Sequence, residues 1–123
     1  MPRDILVVDD SQTVRHAVRH HLNSNTTLNV CGEACDGLDA IEKAQELSPD
    51  LIIMDFSMPR MNGLVAAREI RRRMPNVPII LFTSHIGAVL ASDADDAGVS
   101  AVICKTEDQK FLMSQILDLL NPA

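Results

Sequence analysis

An α/β fold with one doubly wound parallel sheet of five strands and five helices is the architecture this 123-residue sequence predicts, and two observations carry it. Short apolar runs alternate with stretches of helical periodicity from end to end, with no linker, low-complexity segment or repeat between them. Three of those runs also close on charged residues: Ile5-Leu6-Val7-Val8 on Asp9-Asp10, Leu51-Ile52-Ile53-Met54 on Asp55, and Ala101-Val102-Ile103-Cys104 on Lys105. The carboxyl ends of strands in an open parallel sheet form the ligand crevice, so this pattern collects three carboxylates and one ammonium in a single place.

Each element has a local reason. Strands are expected near 4–8, 28–33, 51–54, 78–82 and 100–104. A helix over 11–23 places Val14, Ala17, Val18 and Leu22 at helical spacing, with Ser11 as its N-cap. The helix over 37–47 follows an Asp36-Gly37 turn and stops ahead of Pro49, which cannot continue it. That over 63–74 finishes in Arg71-Arg72-Arg73, cations where a helix C-terminus favours them. A fourth, over 86–97, ends at Gly98 as a left-handed cap, and a fifth spans 107–120. Right-handed crossovers then cover both faces of the sheet. The third and fourth strands, almost entirely Leu, Ile, Val, Met and Phe, read as central. The order 2-1-3-4-5, the flavodoxin-like arrangement, puts strands one and three at the topological switch point, with Asp9, Asp10 and Asp55 at their tips.

Composition narrows the function. Residues 1–123 read as one domain, large enough to bury roughly two thirds of its unfolded surface. A hydrophobic content of 46% with 23% charged residues is that of a globular protein. No apolar run approaches the roughly 20 residues of a membrane helix, and Met1-Pro2-Arg3-Asp4 does not begin a signal peptide, so a cytoplasmic location without membrane contact is expected. A net charge of −6, with three Phe and neither Tyr nor Trp, argues against direct nucleic-acid binding. Cys31, Cys35 and Cys104 are expected to be reduced core residues, because their number is odd and their spacing suits no metal site.

Carboxylates crowded at strand tips repel one another, and a hard divalent cation with oxygen ligands is the usual remedy. A Mg²⁺ site beside a lysine handles phosphoryl groups. Taken singly, an Asp after a strand also serves as a turn former or cap, Lys105 as a surface cation and Thr83 as an ordinary strand residue. Arg15, His16, Arg19, His20 and His21 make the first helix basic, and a solvated face is the simpler account. His16 and His20 stand four apart but lack a third metal ligand. For Arg68 and Arg71 to Arg73, helix-end electrostatics suffice. The last helix is apolar at Phe111, Leu112, Met113, Ile116, Leu117, Leu119 and Leu120, wider than one core stripe needs; broad packing on the fifth strand and a partner surface are both open readings.

The stretches Val7-Val8-Asp9-Asp10-Ser11, Asp55-Phe56-Ser57-Met58-Pro59-Arg60-Met61-Asn62-Gly63, Leu81-Phe82-Thr83-Ser84 and Val102-Ile103-Cys104-Lys105-Thr106 resemble the receiver domain of bacterial response regulators over essentially the whole chain. The resemblance implies that Asp55 takes a phosphoryl group from a phosphohistidine on a partner histidine kinase or phosphotransfer protein. It implies Mg²⁺, with Mn²⁺ as a substitute, held by Asp10, Asp55 and the backbone carbonyl of Ser57, with Asp9 acting through water. Thr83 and Ser84 would meet the phosphoryl group with Lys105, Thr83 as the switch hydroxyl. Ser57 and His85 would tune hydrolysis of the acyl phosphate, His85 partly screening the attacking water. Pro59 and Gly63 would shape the loop after Asp55. A homodimer or effector surface is implied on the fourth helix, fifth strand and last helix, or on the last helix alone, and the first helix would dock the kinase.

Two positions depart from the family pattern. Val102 replaces the aromatic residue common three positions before the lysine, and Thr106 the proline common after it, so the usual Thr–aromatic coupling is not expected. Lys-Thr occurs in subfamilies with helix-turn-helix outputs, which keeps open that the chain is the receiver part of a longer DNA-binding regulator. An Asp-nucleophile phosphohydrolase needs an acid Asp two residues after its nucleophile, where this chain has Ser57. Self-phosphorylation chemistry without turnover on a free substrate is therefore the expectation.

Overall fold

The computed structural model describes residues 1–122. Its elements are β1 (Arg3–Val8), α1 (Gln12–Asn23), β2 (Leu28–Ala34), α2 (Gly37–Leu47), β3 (Leu51–Met54), α3 (Gly63–Arg73), β4 (Ile79–Thr83), a 3-10 turn (Ile86–Ala88), α4 (Ala91–Asp96), β5 (Ala101–Cys104) and α5 (Gln109–Leu120). All five strands are parallel, in the order β2-β1-β3-β4-β5.

Strand periodicity sorts the core into two layers. Ile5, Val7, Leu51, Ile53, Ile80 and Ile103 point to the side covered by α1 and α5, where Val18, Leu22, Leu112 and Ile116 meet them. Their alternates Leu6, Val8, Ile52, Met54, Ile79 and Leu81 pack against Ala40, Ala44, Ala66, Ala67 and Ile70 of α2 and α3. β3 is fully buried, and so are the last four residues of β1. Fully burying each such Ile or Leu is worth about 1.5–3 kcal/mol, which makes the sheet a rigid base for its carboxyl edge.

The helix starts follow capping chemistry. Ser11 accepts from Val14 N–H, Asp36 from Asp39 N–H and Asn62 from Val65 N–H. Ser48 ends α2 in a left-handed conformation, φ 47°, and Gly98 does the same beyond α4 at φ 78°. A Cβ on Gly98 would also stand 2.6 Å from Arg71 Nε. Arg71 uses that space to bond the carbonyls of Gly98 (2.8 Å) and Pro75 (2.8 Å), tying the end of α3 to the α4–β5 turn.

Several expectations need correction. The helix expected over 86–97 is broken: a 3-10 turn, an extended Val89-Leu90 and a six-residue α4 replace it. Neither His85 nor Leu90 makes a side-chain cap, and Asp95 and Asp96 bring negative charge to the end of α4 that disfavours it. The cysteines are free thiols but not core residues: Cys35 is exposed, and Cys31 and Cys104 are half-buried. The β1–β2 register slips between Ile5 and Leu6, so Cys31 is skipped in the ladder. On α1 the arginines are not simply solvated, since Arg15 and Arg19 both pair with Glu33 of β2, each at 2.9 Å. In α5, Leu112, Ile116 and Leu120 are buried while Met113, Leu117 and Leu119 pack at the edge of the same layer, leaving Phe111 exposed.

Candidate functional site

The ladder bonds run one residue past the ends of three strands. Asp9 N–H donates to Ala34 O (3.0 Å), Asp55 N–H to Val8 O (2.9 Å) and Lys105 N–H to Thr83 O (3.0 Å). Asp9, Asp55 and Lys105 therefore keep the alternation of Val7, Ile53 and Ile103 and point toward the α1/α5 side. That shared parity is what brings a carboxylate from β1, another from β3 and an ammonium from β5 together. Lys105 Nζ lies 2.7 Å from Asp9 Oδ2 and 3.3 Å from Asp55 Oδ2.

Oxygen atoms of Asp9, Asp10 and Asp55 lie within 4.8 Å of one another, the only group of this kind among the described residues. Asp9 and Asp55 are buried and Asp10 is exposed. Two like charges at that separation repel by about 3–4 kcal/mol at an effective dielectric of about 20. One lysine offsets part of this. Burial drives the Asp55 carboxyl above the ordinary aspartate range; Lys105 pulls it back and the charge of Asp9 pushes it up again. Burial works against the Lys105 ammonium, but its hydrogen bond to Asp9 and the charges of Asp9 and Asp55 hold it above the usual lysine range. Three hard oxygen donors against one ammonium fit a small divalent cation, and Asp10 keeps an open side toward solvent.

The loop after Asp55 is shaped by one close approach. A Cβ at Gly63 would collide with the Asp55 carbonyl oxygen, and Gly63 N–H closes the loop onto Phe56 O at 2.7 Å. Ser57 and Pro59 are exposed on it. At the tip of β4, Thr83 is fully buried, and its Oγ1 accepts His85 N–H at 3.0 Å, which leaves the hydroxyl proton free to donate. Ser84 and His85 themselves are exposed. Val102 packs half-buried on the α2/α3 side, Thr106 Oγ1 lies 3.0 Å from Cys104 Sγ, and every peptide bond among the described residues is trans. His16 and His20 are exposed and belong to no metal-capable group.

Sequence reading missed two arginine-bound carboxylates, Glu33 and Asp36, that frame the site. Arg15 donates to the Asp9 backbone carbonyl at 2.6 Å while paired with Glu33, so it braces the tip of β1 from behind. Despite the cost of burial, the two arginines keep Glu33 below the ordinary glutamate range. The available signal was two arginines four apart on one helix face, opposite a glutamate on the neighbouring strand. Asp36, read as a turn former, also binds Arg60 at 2.6 Å. The Asp39 N–H first, then Arg60, hold its carboxyl low against the effect of burial.

A doubly wound sheet with an acidic pocket, a lysine and a buried hydroxyl at its carboxyl edge defines a class of signalling module, and the comparisons agree. Residues 5–117 match the model of the response regulator receiver domain, and the chain belongs to that family, as a receiver domain of two-component response regulators. It is 41% identical over 121 residues to the response regulator protein VraR of Staphylococcus saprophyticus, covering 98% of this chain and 58% of that protein. It is also 46% identical over 102 residues to a protein-glutamate methylesterase/protein-glutamine glutaminase of Alkalilimnicola ehrlichii, covering 81% of this chain and 26% of that protein. The chain thus spans about half, or about a quarter, of the length of these relatives. Among solved structures, the response regulator domain of Thermotoga maritima CheB superposes with a TM-score of 0.89 at 32% identity, covering 100% of this chain and 99% of that one. A LuxR-family two-component response regulator from Aurantimonas gives 0.91 at 32% identity, covering 98% and 86%.

Proposed function

We propose that Asp55 is the phosphoacceptor of this receiver domain and that Mg²⁺ assists the transfer. The convergence of Asp9, Asp10, Asp55 and Lys105 at one sheet edge carries this reading. A carboxylate oxygen of Asp55 attacks the phosphorus of a phosphohistidine on a histidine kinase or phosphotransfer protein. The P–N bond breaks, its electron pair stays on the imidazole nitrogen, and an acyl phosphate forms on Asp55. Asp10, Asp55 and the Ser57 carbonyl would hold the cation, Mn²⁺ substituting, with Asp9 acting through water. When bound, the metal neutralises charge on the transferred group. Lys105, already facing Asp55, neutralises the equatorial oxygens from the other side, and the Thr83 hydroxyl donates to the arriving phosphoryl group, supported by Ser84. Ser57 and His85, both solvent-facing, govern how water reaches the acyl phosphate.

The chain works as a switch without turnover on a free substrate, and residues 1–123 act as one cytoplasmic domain. The response passes to the surface of α4, β5 and α5, with Phe111 exposed on α5 and Ile86 and Leu90 exposed on the segment leading into α4, either to an effector or to a second copy through that face or α5. Nucleic acid and membranes are not its direct partners. A second reading places the chain in a longer regulator with a helix-turn-helix output. The 58% coverage of VraR and the likeness to LuxR-family regulators favour it, and it uses the same site.

Intact-mass analysis after acetyl phosphate and Mg²⁺ tests the assignment. One phosphoryl increment is expected on the wild type and none on Asp55→Asn. An increment that persists in Asp55→Asn, or phosphate release from small phosphomonoesters over many turnovers, overturns it.

A further inference from the structure

The loop between β3 and α3 is anchored by groups that take no part in the transfer chemistry. β2 and β3 flank β1 in the sheet, so the loops that follow them stand on either side of the Asp9-Asp10 tip. Asp36 and Arg60 join those loops. Arg60 Nη2 lies 2.6 Å and Nε 2.8 Å from Asp36 Oδ2, while Asp36 Oδ1 accepts Asp39 N–H of α2 at 2.8 Å. The carboxylate is therefore fixed by a helix on one side and by a two-point ion pair on the other. Its side chain is 6% exposed, and that of Arg60 is 59% exposed.

A second contact repeats the first one residue further along each loop. A Cβ on Gly37 would stand 2.6 Å from Met61 O and 2.8 Å from Met61 Cβ, so the two backbones already touch. Arg60 meanwhile holds φ at 65°, a left-handed backbone that glycine accepts freely and arginine does not. Between the anchors at Phe56–Gly63 and at Arg60-Met61 remain Asn62, itself held as the cap of α3, and Ser57, Met58 and Pro59, the last with a fixed φ. Met61 N–H bonds Pro59 O at 2.7 Å, which tightens the turn again.

We propose that Arg60 is a positioning residue: through Asp36 it fixes the loop so that the Ser57 carbonyl is presented to the acidic crevice, and so sets the affinity for the divalent cation. This rests on the metal reading above. Groups behind a metal ligand commonly change affinity by about 10–100-fold when removed; Arg60 acts one step further back, and an effect of about 3- to 10-fold is expected.

Calorimetric titration of Mg²⁺ into the wild type, Arg60→Ala, Arg60→Gly, Arg60→Lys and Asp36→Asn reads it directly. The Kd should rise by that factor in the Ala, Gly and Asn variants and less in Lys, which keeps the charge. Arg60→Gly, which relaxes the left-handed backbone, separates the lost ion pair from the relieved strain. The half-saturating Mg²⁺ for phosphorylation by acetyl phosphate should shift with the Kd, while the rate at saturating Mg²⁺ stays close to wild type. A structural role alone would lower the metal-free Tm and leave the Kd, measured well below that Tm, unmoved; that result overturns the proposal. Wild-type protein that takes up no Mg²⁺, behaving like Asp10→Asn, overturns the metal reading and this one together.

Discussion

The loops after β3 and β4 leave the same edge of one sheet and are built in opposite ways. The first is closed by Gly63 N–H on Phe56 O, capped by Asn62, and tied to α2 through Arg60, Asp36 and Gly37. The second runs from Thr83 through a 3-10 turn to a six-residue α4 with no side-chain cap, and exposes Ile86 and Leu90. Order is concentrated beside the acidic pocket, where the proposed function needs a cation and a phosphoryl group to be positioned. The segment around α4, to which the proposed response would pass, is held by Ala94 and Ala97 in the core, by partly buried Val89 and Val99, and by the Arg71 bonds to Gly98.

The largest test of that contrast is Gly63→Ala. Its Cβ would collide with the Asp55 carbonyl, and overpacking against backbone is expected to cost about 3 kcal/mol in urea unfolding and to abolish phosphorylation. Next comes Asp36→Ala, which removes a cap and an ion pair and should cost about 1–2 kcal/mol near neutral pH. Because the folded Asp36 carboxyl titrates below its unfolded counterpart, its contribution is complete above about pH 5. As pH falls through the folded value it is lost, so the gap in urea midpoints should narrow in acid.

Asp55→Asn should behave in the opposite sense. The folded Asp55 carboxyl titrates above its unfolded value, so ionising it opposes folding as pH rises. Metal-free Asp55→Asn should be modestly more stable than wild type at pH 7, and the gain should fade as pH falls through the folded value and vanish below the unfolded one. Excess Mg²⁺ should raise the wild-type Tm and shift the variant little. The smallest effect belongs to the loose region: Leu90→Ser, supplying the missing cap, should stabilise α4 locally by about 0.5–1 kcal/mol. Slower amide exchange over residues 91–96, with an unchanged global midpoint, is the expected readout.

The sheet and its charged tips are legible in the sequence because each rests on a local pattern. An apolar run ending in Asp or Lys needs no knowledge of its neighbours, and Ser11, Gly37 and Gly98 punctuate elements through their own backbone chemistry. The arginine clamps are not legible in that way. Asp36 and Arg60 stand 24 residues apart, and Arg15 and Glu33 18 apart, so only the strand order makes them neighbours. The break at Val89-Leu90 escapes for another reason: the apolar spacing of Ile86, Val89 and Leu90 suits a helix, but no capping group supports its first turn. Cys31, half-buried, sits at a register slip in the β1–β2 ladder that composition cannot show.

One consequence follows from the three backbone bonds that carry the ladder one position beyond Val8, Met54 and Cys104. Side-chain direction along a strand reverses at every step, so losing or gaining a single residue within β1, β3 or β5 would turn that tip toward the opposite layer. Exchange of one buried aliphatic for another leaves the tips where they are. The pocket is thus tolerant of substitution in the strands beneath it and intolerant of any change in their length.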